Sequence, residues 1–186
     1  PPTAEWAATV ERIYDYDMME GMVRTDFMMS LENADLEPLI EFFGSDQGQM
    51  IVGLEVSARR ALLDDALEEA AKEAAAIASA DGDPRIALVG EFVDINNLIE
   101  TNIEGVLNSN LAFYGGLVDG GAFDGALSEE QILSDVWGQE QEIRESTTEW
   151  IYSFLFMAYQ PLADADLQAY IAFSETEAGG EINGAM

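Results

Sequence analysis

Histidine and cysteine are absent from this 186-residue chain, and basic residues are scarce: 7 Lys or Arg stand against 37 Asp or Glu, a formal net charge of -30. Without His there is no imidazole acid/base chemistry, no His metal ligand and no His-containing triad. Without Cys there is no thiol nucleophile, disulfide or thiolate metal site, and the redox compartment stays open. The single lysine, Lys72, follows Glu68 by four residues, the favourable order for a helical ion pair, which argues against a Schiff-base role. The longest uncharged runs, 105–118 and 150–163, are 14 residues each, short of the roughly 20 a spanning helix needs, so no transmembrane segment is expected.

What the chain does have is apolar material. Hydrophobic residues make up 48%, with 9 Phe, 6 Tyr, 3 Trp and 8 Met, which separates it from charged disordered chains. A compact body of this mass would expose about 8,800 Å². Thirty uncompensated charges over that area repel nucleic acid and anionic lipid, and attract basic peptides, basic proteins, divalent cations or the counterions of a salty medium.

Helical spacing dominates. Over residues 3–29 the apolar positions Trp6, Val10, Ile13, Met18, Met22, Phe27 and Met28 recur mostly at three- to five-residue steps, with no alternating run in competition. Residues 55–80 are an Ala/Leu/Glu/Arg mixture broken near Asp64 and Asp65. In the stretch 81–84, Gly82 suits a helix end, Asp83 an N-cap and Pro84 a first helical position, which divides the chain into halves 1–82 and 83–186 packed as one body. A long periodic stretch over 86–117 leads into a glycine-rich loop. Ser128 and Gln131 then form a capping box for a helix over 129–137, and a further helix is expected over 143–159, before Pro161.

An internal duplication carries the most information. Residues 34–55 align without gaps on 165–186, with eight of 22 positions identical. Asp35, Leu36, Ile40, Phe42 and Gly48 match Asp166, Leu167, Ile171, Phe173 and Gly179; Ala34/Ala165, Ile51/Ile182 and Gly53/Gly184 complete the set, and Leu31/Leu162 extends it upstream. Leu36, Ile40 and Phe43, like Leu167, Ile171 and Phe173, spell one apolar face of a short helix. Ser45 and Thr176 are placed to cap a second helix, and Gly48 and Gly179, three residues on, would admit close approach of another helix. The unit is expected to serve packing rather than chemistry.

This pattern resembles the signature of the bacterial family catalogued as domain of unknown function 2059, over about 22 residues in each copy. The chain departs from it at Glu177, where many relatives are expected to carry Pro. The resemblance implies an all-helical fold and an exported, periplasmic or secreted protein, and it implies no reaction. The opening at Pro1, without a Met or a leader, reads as a processed or trimmed start, and Met186 falls in what reads as mid-helix.

Carboxylates are the only abundant reactive groups. Oxygen-only ligation of a divalent metal has weak candidates in Asp81 and Asp83, and in Asp119 and Asp124 across a glycine turn, but neither pair fits an EF-hand loop. The basic doublet Arg59-Arg60 is expected to pair internally, with Glu55 and Asp64 at helical distance. Residues 150–159 are apolar all round, as befits a central core helix. A groove or dimer seam involving Trp150, Phe154 and Met157, with Met18 and Met22 as neighbours, is the other outcome.

The expectation is an all-α bundle of about eight to ten helices in two related halves, acting as a non-enzymatic module for a protein, peptide or apolar ligand. No cofactor, catalytic residue or nucleic-acid partner is assigned, and a homodimer stays open. The alternative is a carboxylate-based or divalent-metal-assisted hydrolase.

Overall fold

The computed structural model describes residues 3–121 and 128–186, and every regular element among them is helical. The helices are α1 (Ala4–Ile13), α2 (Tyr16–Ser30), α3 (Leu36–Gly44), α4 (Asp46–Ala61), α5 (Asp65–Asp81), α6 (Pro84–Ile95), α7 (Leu98–Asp119), α8 (Glu129–Trp137), α9 (Glu140–Tyr159), α10 (Asp164–Ser174) and α11 (Glu177–Ala185). The stretch 3–29 resolves into two helices because Asp15 caps α2 through the Met18 N–H. The stretch 86–117 splits at Asn96 and Asn97, the latter in the left-handed region at φ 51°. At the midpoint Gly82 ends α5 in left-handed geometry, Asp83 caps α6, and Pro84 opens it.

The apolar stretch of α9 is the central core helix. Ile151, Phe154, Leu155, Phe156, Ala158 and Tyr159 are all buried, against α5 on one side and α4, α6 and α7 on the others. The Ala71, Ala75 and Ala78 stripe of α5 lets two backbones approach closely there. The main core also takes Ile51 and Ala58 of α4, Val89, Phe92 and Val93 of α6, and Leu167, Tyr170 and Ile171 of α10, so both halves of the chain build one body.

The duplicated units are a helix, a capped corner and a second helix in both copies. Ser45 Oγ accepts the Gly48 N–H at 3.0 Å, and Thr176 Oγ1 accepts that of Gly179 at 3.0 Å. Each hydroxyl in turn donates back to the preceding helix, to Phe42 O and Phe173 O, both at 2.6 Å. This reciprocal bond tightens the corner, and a Cβ on Gly48 or Gly179 would lie 2.2 Å from those same Phe carbonyl oxygens. The close approach is thus made by the unit's own first helix. The two units meet through Phe42 and Phe173, whose rings stack at 4.0 Å and 8°.

Around that stack the units exchange partners. The second helix of the first unit, α4, packs on α9, which leads into the second unit; the second helix of the second unit, α11, packs on α2, which leads into the first. Leu31 and Leu162, at the equivalent turns, are both buried. The symmetry stops there. Leu167 and Ile171 are buried under α6, whereas their counterparts Leu36 and Ile40 are 46% and 70% exposed, and Leu39 enters a small cluster instead. The shared apolar face is therefore core in one copy and surface in the other.

The glycine pairs separate packing from coincidence. Gly48→Ala or Gly179→Ala is expected to cost about 3 kcal/mol, because the clash is with backbone that cannot rotate away. Gly53→Ala and Gly184→Ala, at equally matched positions with nothing within 4 Å, are expected to be neutral or stabilising by up to about 1 kcal/mol. Urea unfolding of the four variants checks this, and equal costs for all four would contradict it.

Candidate functional groove

A groove of about 740 Å³ opens along α9, walled by α4, α7 and the α10–α11 corner. Its floor is aromatic and aliphatic: Trp150, Phe154 and Tyr159 from α9, Phe92 from α6, Tyr170 and Phe173 from α10, with Val106 and Ile182 at the sides. Its rim is amide and hydroxyl, with Asn102, Ser109, Asn110 and Asn183. Asn183 also donates to Asn96 O at 2.7 Å, which fixes α11 against the end of α6.

Among the described residues, one acidic side chain lines this groove. Glu55 accepts a 2.7 Å hydrogen bond from the hydroxyl of Tyr159, whose side chain is wholly buried. Burial pushes the Glu55 carboxyl above its ordinary range, against the opposing effects of the Tyr159 bond and of nearby Arg59. The same burial, with Glu55 facing it, drives the Tyr159 phenol upward, and Tyr170 shifts the same way. Both phenols stay protonated, so Tyr159 remains a donor.

Arg59 corrects the ion-pair expectation. Among the described residues neither Arg59 nor Arg60 has a carboxylate within 4.0 Å. The Arg59 guanidinium lies instead 5.3 Å from the Trp150 ring and 4.9 Å from that of Phe154, a cation–π position at the groove mouth. The i,i+4 rule concerns one helix, whereas the competing partner comes from 91 residues further along the chain. Lys72 does pair as expected, with Glu68 at 2.8 Å.

Trp150 and Phe154 line the groove, and Met157 is half-buried against the main core. Met18 and Met22 do not join them: both are exposed on α2. Of the oxygen-ligand candidates, Asp83 Oδ1 is occupied by the Arg85 N–H at 2.8 Å, while Asp81 and Asp119 are exposed at helix ends; Asp124 lies outside the described residues. Among the described residues no three acidic side chains gather as a metal site would require. Asp35 caps α3 through the Glu37 N–H, and Asp166 accepts from Gln47 at 3.0 Å across the two units, so both matched acids hold structure.

Two long-range sets of contacts, those of Arg85 and of Arg144 with Glu100, have no sequence signal. Arg85 donates to Tyr159 O at 3.0 Å and Leu162 O at 2.9 Å and pairs with Asp164 at 2.7 Å, satisfying the end of α9. Arg144 bridges Glu100 of α7 to Glu140 of α9, which sets one wall of the groove. Among the described residues no helix is long and apolar enough to cross a membrane. No family model matches the chain, and neither a curated protein nor a solved structure matches it.

The Glu55 shift has a defined pH signature. Its ordinary value is 4.5 and the folded value is higher, so in the window between them the folded protein binds more protons than the unfolded chain. The associated stability is present below pH 4.5 and is lost as pH rises through the folded value. Glu55→Gln, whose amide oxygen still accepts from Tyr159, lacks this loss. Its melting temperature is expected to gain on that of the parent as pH rises from 4.5, and a difference independent of pH would contradict the assignment.

Proposed function

We propose that this protein is a non-enzymatic binding module whose groove along α9 receives an apolar segment of a protein or peptide, or an apolar ligand. One observation carries this: the groove is large enough for a drug-sized body, mostly aromatic and aliphatic in lining, and drawn from both halves of the chain. The composition of the wall favours binding over hydrolysis. Two-carboxylate chemistry requires a second acid roughly 5 to 9 Å from the first, and Glu55 is the sole acid among the described lining residues. Arg59 and the amide rim give orientation to whatever the aromatic floor holds. Membership of domain of unknown function 2059, and with it an extracytoplasmic address, is proposed on the repeat motif alone.

Gly105 provides the test. It lines the groove from α7, and a Cβ there meets nothing within 4 Å, so a side chain can leave the helix at this point without clashing at its first carbon. Gly105→Trp is expected to fill the space while keeping or slightly raising the melting temperature, since Gly is the poorer helix former by about 0.5 kcal/mol. The uncharged fluorophore N-phenyl-1-naphthylamine should bind the parent once per chain and the variant at least about tenfold more weakly, as expected for losing one buried aromatic contact. Undiminished binding to the variant, or none to the parent, would refute the proposal.

A further inference from the structure

The groove along α9 has one strong donor group left over, and its chemistry points to a class of ligand. Several polar side chains on the walls bond within the chain: Asn102 donates to Leu98 O and Ser109 to Gly105 O, both at 2.8 Å, while Asn183 donates to Asn96 O and Tyr159 to Glu55, both at 2.7 Å. Arg59 is the one basic side chain among the described residues of the lining. Elsewhere Arg24, Lys72, Arg85 and Arg144 each close on a carboxylate. Arg59 does not: among the described residues its guanidinium, with five N–H donors, makes no ion pair and no hydrogen bond.

The cation is nevertheless held in place. It lies over Trp150 and Phe154, whose rings stack at 5.2 Å and 11°, and this contact positions the guanidinium without giving its N–H groups an acceptor. Glu55, four residues earlier on α4, is engaged with the Tyr159 hydroxyl instead, and burial pushes that carboxyl toward its neutral form. A cationic ligand would meet Arg59 already seated on the two exposed rings and be repelled. A neutral ligand would leave the donors as they are. A carboxylate meets the guanidinium in the paired geometry that Arg favours, and an apolar body attached to it reaches the aromatic floor. The whole-chain charge of -30 opposes any anion, so a preference for one has to come from local contact; charges beyond about 8 Å are largely screened at physiological ionic strength.

We propose that the ligand of the groove is an apolar monocarboxylic acid, its carboxylate on the Arg59 guanidinium and its aliphatic or aryl body along Trp150, Phe154 and Val106. This rests on the groove being a binding site, as proposed above, and adds the head group that the site selects. Arg59 is the anchor, and no covalent bond is made or broken.

The probes are 6-phenylhexanoate, 6-phenylhexan-1-ol and 6-phenylhexylammonium, which share one body and differ in the head, each titrated into the full chain by calorimetry near neutral pH. The acid is expected to bind once per chain and at least about tenfold more tightly than the alcohol or the amine. Arg59→Gln should erase that advantage and bring the acid to the affinity of the alcohol; both ligands are measured on the same variant, so any shift of the Trp150 and Phe154 rings is common to them. Arg60→Gln removes the same charge one residue along, outside the described lining, and should keep the advantage. Equal binding of acid and alcohol by the parent, or tighter binding of the amine, would overturn the assignment and leave the groove reading standing. An advantage that survives in Arg59→Gln, or that Arg60→Gln removes to the same extent, would overturn it too. Absence of binding by the acid would do the same, and N-phenyl-1-naphthylamine then reports separately on the groove.

Discussion

A phenol buried without any exposed surface at the end of α9 constrains everything near it. The Tyr159 hydroxyl has lost water and must find an acceptor, since an unmade bond of that kind costs about 1–3 kcal/mol. Glu55 supplies it from α4, so a carboxylate is drawn in beside the aromatic and aliphatic floor of the groove. The Tyr159 ring stands edge-on to Phe92 of α6 and to Tyr170 of α10, and its carbonyl accepts from Arg85. One residue thereby locks four helices, drawn from both halves of the chain, around the groove they enclose.

The second organising device is the duplicated corner. The hydroxyl cap, the carbonyl it bonds back to and the glycine that makes room for that carbonyl form a rigid joint repeated at both ends of the sequence. Rigid joints stacked through Phe42 and Phe173 let each unit's second helix reach the other unit's leading helix. Because α5 and α6 fall on one side only, the same apolar pattern closes a core on that side and leaves a surface on the other. The groove lies where the second unit is fully packed, beside α9 and α10.

Much of this was legible in the sequence wherever the physics is local. Ser45, Thr176, Gly48 and Gly179 announce the corners, Ser128 and Gln131 the start of α8, and Gly82 with Pro84 the midpoint turn, because capping and turn chemistry act over three or four residues. The core role of the second half of α9 was legible because residues 150–159 are apolar all round. The groove was legible only in part. Trp150 and Phe154 were identified from composition, but Glu55, Tyr159 and Arg59 were not placed there, since the contacts that bring them together span 91 to 104 residues. Leu36 and Ile40 show the opposite failure: their pattern is that of a core face, and whether it is covered depends on which helices the rest of the chain brings to it.

The negative charge has a limited part in the architecture. Several acids are consumed structurally, as N-caps at Asp15, Asp35, Asp64 and Asp83 or as partners of Lys72, Arg85 and Arg144. Glu55 reports directly on the groove. Carbon-13 NMR of its side-chain carboxyl, titrated with and without saturating N-phenyl-1-naphthylamine, measures whether an apolar body enters beside it. The account predicts titration above 4.5 in the free protein and a further rise when the groove is filled, because the ligand expels water from around the charge. Titration at or below 4.5 that the ligand leaves unmoved would contradict it.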